Sequence, residues 1–186
     1  MKVILALGDV IAAEADALLM TIDGTTRSPG GAPAWGKVGQ VGRKTWPEFW
    51  KKMERELNLP IVIGEAQIVD MSESGSEEMP PWRYYGALSS LDHLGQSAHM
   101  ADHLQGAVLR ALGDLAFFRV RSIVSTIPSG GWRVKPEMAA HFVEAARRRF
   151  VKWDTTWTIY ERYENIFEQL SPLAEKFGWS VQDNKK

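Results

Sequence analysis

Residues 122–137 read SIVSTIPSGGWRVKPE, and the order of residue types in that stretch decides what kind of sheet the chain can build. Ile123, Val124, Thr126 and Ile127 make an apolar, β-branched run of strand length. Pro128, Ser129, Gly130 and Gly131 interrupt it, and Pro136 stands where a helix can begin, because the first helical turn tolerates proline. A strand that turns on paired glycines into a helix is also one way to build a phosphate site. Glycine admits close backbone approach, and the N–H groups of the turn can face an anion. Taken alone, the glycines equally serve a tight turn.

Outward from this unit the same grammar repeats. Short apolar runs predict strands at about 2–7 (KVILAL), 16–22 (DALLMTI), 61–69 (IVIGEAQIV), 83–88, 121–127 and 155–160 (TWTIYE). Helical patterns lie between them. Thr45 is a candidate cap with Pro47 in the first turn of one helix. Leu104, Val108, Leu112 and Leu115 stripe a second helix, and Met138, Phe142 and Ala146 a third. Ile166, Leu170, Leu173 and Phe177 give the last a buried face. Strands alternating with helices predict an α/β sandwich with a largely parallel sheet. The chain reads as one domain over 1–178, with a flexible tail at 179–186. The Ser- and Pro-rich acidic stretch DMSESGSEEMPPW (70–82) reads as a surface loop.

Composition removes several function classes. With 186 residues, 45% hydrophobic and 24% charged, the chain is long enough for a substantial core. A formal net charge of −1 gives no general attraction to nucleic acid or to an anionic membrane. The absence of cysteine removes disulfides, thiol catalysis and cysteine-ligated zinc. The apolar run of MKVILALGDV is too short for a signal peptide, so a cytoplasmic protein is the expectation.

Ligands of open α/β sheets bind outside the carboxyl ends of the strands. Four segments leave those ends: Asp9 after the first strand, Asp23 to Trp35 after the second, Pro128 to Val134 after the fifth, and Tyr160 to Tyr163 after the sixth. Two carry paired glycines, one carries rings, and one carries an acid. Backbone donors, a stacking ring and a carboxylate able to accept from an exocyclic amine together suggest a nucleotide pocket.

In these segments the sequence resembles a macro domain, the family that binds ADP-ribose and sometimes removes it from targets. VILALGDVIAAEADALLMTIDG is similar to the family's opening, GEAQIV to its Gly-Glu-Ala segment, RSIVSTIPSGGW to its phosphate loop, and WTIYERYENIFEQL to its final strand and helix. The order holds from about residue 2 to 177. The resemblance implies a three-layer α/β/α sandwich with a mostly parallel mixed sheet. It implies that Asp9 accepts from the adenine amino group and that Val10 touches the base. Gly30, Gly31 and Ala32 would form the first ligand loop, and Ser129, Gly130, Gly131 and Trp132 the second. Tyr160 would pack on the adenine. The implied partner is ADP-ribose or a related nucleotide, free or carried on an ADP-ribosylated macromolecule, with no cofactor.

The sequence departs from the family where hydrolytic members carry Asn-Ala-Ala-Asn; here Met20-Thr21-Ile22-Asp23 stands. Asp23 would meet the distal ribose as an acceptor only, and its charge would repel the diphosphate. At about 5 Å and an effective dielectric near 20 that repulsion is roughly 3 kcal/mol, unless Lys37, Arg27 or Arg133 offsets it. Arg133 stands in the phosphate loop near the aromatic position of hydrolytic relatives, where it can pair with phosphate oxygens. Binding of ADP-ribose is the principal reading. The alternatives are an ADP-ribosyl hydrolase in which Asp23 orients or activates water, and a protein-interaction domain whose pocket has decayed.

Other groups carry less. His93 and His99, with Asp92 beside them, invite a metal reading, but two histidines six apart match no helix-face spacing and carry no obvious third ligand. His141 is expected to be partly buried, and Glu14 and Asp16 to be solvated. Ser129 has no evident histidine partner for nucleophilic chemistry. Trp35, Trp46 and Trp50 are assigned to the core rather than to a pocket wall.

Overall fold

The computed structural model describes residues 1–24, 47–72, 81–91, 100–129 and 134–183. Seven strands form one sheet in the order β3-β4-β2-β5-β6-β1-β7. They are β1 (Lys2–Leu7), β2 (Ala15–Asp23), β3 (Ala66–Asp70), β4 (Trp82–Leu91), β5 (Ser122–Thr126), β6 (Thr156–Glu161) and β7 (Ser180–Asp183). Every pairing is parallel except β3 with β4. The helices among the described residues are α1 (Pro47–Glu56), α2 (Met100–Phe117), α3 (Pro136–Arg149) and α4 (Glu164–Lys176), with a short 3-10 turn at Val10–Ala12. This is the mostly parallel mixed α/β sheet that the alternating pattern predicts.

A parallel sheet has helices on both faces, so its strands carry apolar side chains on both. Val3, Leu5, Leu19, Ile123, Trp157 and Ile159 belong to one core with Leu104, Val108 and Leu112 of α2, Val143 of α3 and Leu170 of α4. Leu18, Ile22, Tyr85 and Val124 belong to the other, with Val10, Phe49, Met53 and Leu57. Three indoles are buried with a partner for their N–H: Trp82 donates to the Ala13 carbonyl, Trp157 to Ser125 Oγ, and Trp179 to Glu144 Oε2.

Several expectations change. The strand expected over 61–69 begins only at Ala66, because residues 61–65 bond instead to Gly24 and Ser89. The tail expected over 179–186 is ordered structure as far as Asp183. Trp179 is buried, and Ser180–Asp183 pairs with Ile4–Leu7 at the sheet edge. In α3 the inward face is Ala139, Ala140, Val143 and Ala146, small residues that let the helix sit close, while Met138 points to solvent. In α4 the deepest residues are Phe167, Leu170 and Ala174 rather than Ile166, Leu173 and Phe177. His141 is exposed, its ring edge-on to Phe177 at 5.0 Å.

Asp16 is no solvated bystander. Its Oδ2 accepts the backbone N–H groups of Arg121 (2.8 Å) and Ser122 (3.0 Å), and its own N–H donates to Ser122 Oγ at 2.8 Å. It thereby fastens the start of β2 to the start of β5. Thr45, Trp35, Trp46, Asp92, His93, His99 and most of the 70–82 stretch lie outside the described residues, as does the side chain of Trp50.

Candidate functional site

Parallel strands end together, so the chain leaves β2, β5, β6 and β1 along one rim. Their order in the sheet is β2-β5-β6-β1. Register brings Thr126 opposite Tyr160, and Leu7 opposite Glu161. Three strand spacings of ~4.8 Å separate β2 from β1, about 14 Å along the rim, which is the scale of an extended nucleotide with a second sugar.

At the β1 and β6 end Val10 and Tyr160 pack into one core. The Gly8 N–H donates to the Glu161 carbonyl at 2.9 Å, tying the exits of the two strands. A Cβ on Gly8 would lie 3.3 Å from Cδ1 of Tyr160, so the absence of a side chain there lets the Tyr160 ring close on the turn. Asp9 comes next and caps the 3-10 turn, its Oδ1 accepting the Ile11 N–H at 3.1 Å. An ionised carboxylate offers about four lone-pair sites, so this bond is compatible with accepting a further donor. Val10 is buried, and Tyr160 packs against the same core. Val10 and Tyr160 therefore share one end of the rim and one face of the sheet, with Asp9 next to Val10 in the chain.

Between the Tyr160 and Tyr163 rings in the sequence stands Glu161. It is 4% exposed. Burial pushes its carboxyl above the ordinary value, with backbone N–H groups of Tyr163 and Arg162 opposing that rise. The Tyr163 N–H donates to it at 2.9 Å, which fixes the turn into α4. The signal was present in the alternation of TWTIYE: Trp157, Ile159 and Glu161 fall on one face, and all three are buried.

At the end of β5, Ser129 is buried, and its N–H donates to the Ile127 carbonyl at 2.7 Å. That N–H is engaged within the chain. The Ser129 carbonyl accepts the Val134 N–H at 3.0 Å, which closes the ends of the loop. Gly130, Gly131, Trp132 and Arg133 lie outside the described residues, as do Gly30, Gly31 and Ala32. Asp23 ends β2 at a register shift: Ile22 pairs with Ser89 but Asp23 pairs with Leu91. Among the described residues no three metal-ligating side chains gather.

No protein-family model matches the sequence, and no curated protein does. Solved structures do match. A point mutant of the Oceanobacillus iheyensis macrodomain has a TM-score of 0.70 at 16% identity, with 92% of each chain covered. Another mutant of that protein, solved with ADPR, gives 0.69 at 17% identity over 92% of each chain. The macrodomain of Mycobacterium tuberculosis DarG gives 0.58 at 18% identity, covering 84% of this chain and 96% of its own. The sheet order, the helices on both faces and these likenesses agree: the chain has the macrodomain fold.

Proposed function

We propose that the chain binds ADP-ribose or a close derivative along the carboxyl ends of β1, β6, β5 and β2. The observation that carries this reading is the packing of Val10 and Tyr160 together at the β1–β6 exit, where Asp9 caps the turn that begins at Val10. A carboxylate beside an aromatic ring suits an aminopurine, which offers an exocyclic N–H donor and a flat face. A diphosphate would then run toward the Ser129–Val134 loop and a distal ribose toward Asp23, the far end of a rim of matching length. The macrodomain of like fold solved with ADPR supports the choice of ligand class.

Thermal unfolding with ADP-ribose, AMP and a non-nucleotide control tests the reading. At a hundredfold excess over Kd, one bound ligand contributes about 2.7 kcal/mol. For a domain of this size the midpoint then rises by roughly 5–11 °C. ADP-ribose is expected to exceed AMP at equal concentration. No shift with either nucleotide overturns the reading.

A further inference from the structure

We propose that Ser89 is a positioning residue for the ribose end of the site, setting the backbone at the exit of β2 where Asp23 stands. The proposal rests on the ADP-ribose reading and names a residue outside every loop assigned to the ligand. Ser89 is fully buried near the end of β4. Its N–H donates to the Glu65 carbonyl at 3.0 Å, its carbonyl accepts the Gly64 N–H at 2.7 Å, and its hydroxyl donates to the Ile61 carbonyl at 2.9 Å. All three bonds reach the 61–65 segment. That segment in turn holds β2, because the Ile61 N–H donates to the Gly24 carbonyl at 2.8 Å.

The contact with β2 is also steric. A Cβ on Gly24 would fall 2.0 Å from Ser89 Oγ and 2.6 Å from the Ile61 carbonyl oxygen, so the backbone just past Asp23 lies against the hydroxyl. Beside it the ladder slips by one residue: Ile22 is opposite Ser89 and Asp23 is opposite Leu91, so Ser90 is passed over on β4. The hydroxyl of Ser89 ties the exit of β2 to the end of β4 through Ile61. Without it, the buried Ile61 carbonyl loses a hydrogen bond and Gly24 loses the surface it rests on.

AMP has no distal ribose, and this separates positioning from general support of the fold. Calorimetric titration of wild type and Ser89→Ala with ADP-ribose and with AMP is the experiment. The expected result is about a tenfold loss for ADP-ribose with AMP affinity unchanged, and an effect that does not add to that of Asp23→Asn, as for residues sharing one backbone shift. Should Ser89→Ala fail to fold, Ser89→Cys takes its place, with a similar shape and a weaker donor. Equal losses for both ligands, no loss for either, or full additivity with Asp23→Asn overturn the positioning role while leaving the ADP-ribose reading intact. A wild-type protein that binds neither nucleotide overturns both.

Discussion

An ionised carboxylate at position 23 accepts hydrogen bonds and donates none, while hydrolytic macro domains carry an amide at the matching place. If that carboxylate stands near a diphosphate, Asp23→Asn removes a repulsion of roughly 3 kcal/mol at most. The substitution is expected to preserve ADP-ribose affinity or raise it, by up to about a hundredfold, and to leave AMP unaffected. Titration calorimetry reads both, and an ADP-ribosyl turnover that Asp23→Asn abolishes would instead favour an Asp23-dependent hydrolase. The neighbouring position is governed by space. Gly24→Ala places a methyl group against Ser89 and the Ile61 carbonyl, so overpacking is expected to cost about 1–3 kcal/mol. Denaturant unfolding measures this, and an unchanged midpoint would show that β2 can move away. Asp23 stands out in the sequence because of its charge. Gly24 does not, because the atoms it makes room for come from residues 61 and 89.

Among the elements, β7 ties the carboxyl-terminal segment to the rest of the sheet. It pairs with β1 over Ile4–Leu7, and Trp179 just before it is buried with its indole on Glu144 of α3. Arg147 grips both carboxylate oxygens of Glu144 (2.7 and 2.8 Å), and Arg148 donates to Oε1 at 2.7 Å. Glu144 thus links a helix to an edge strand. Deleting residues 179–186 removes the indole and uncovers the edge of β1. A loss of about 3–5 kcal/mol is expected from removing a large buried aromatic side chain, in line with core deletions, and the proposed ADP-ribose rim should survive. A truncated chain as stable as the whole would show that β7 merely lies on the sheet. The alternation of apolar residues made β1, β2, β5 and β6 legible. It could not reveal β7, a four-residue strand whose one apolar residue is Val181 and which exists only because β1 offers an open edge.

For the whole molecule, Glu144 also gives the pH dependence a sign. Burial alone would raise its carboxyl, but hydrogen bonds from Arg147, Trp179 and Arg148 outweigh that and hold it at about 2, against an ordinary 4.5. Its folded value is depressed, so its stabilising contribution is fully present above the ordinary value and is lost as pH falls toward about 2. Glu161 acts in the opposite sense, since its raised carboxyl favours folding as it takes up a proton. The prediction is that stability falls between pH 4.5 and 2 in the wild type and that Glu144→Gln flattens this fall. Thermal melts across that range check it, and a wild-type slope unchanged in the variant would assign the acid sensitivity elsewhere.

The sequence by itself determined the alternating α/β pattern, the parallel sheet and the rim from which Asp9, Asp23, Ser129 and Tyr160 leave their strands. Those features arise from local periodicity, glycine and proline placement, and strand direction. Only the tertiary structure decided that the Ser129 N–H turns back to Ile127, that Asp16 clamps β2 to β5, that Glu161 is buried behind Tyr160, and that Ser89 bears on Gly24 through Ile61. Each of these joins residues on different segments or fixes where a single polar group turns. Hydrogen-bond partners and close packing are settled by the meeting of surfaces, which no run of neighbouring residues encodes.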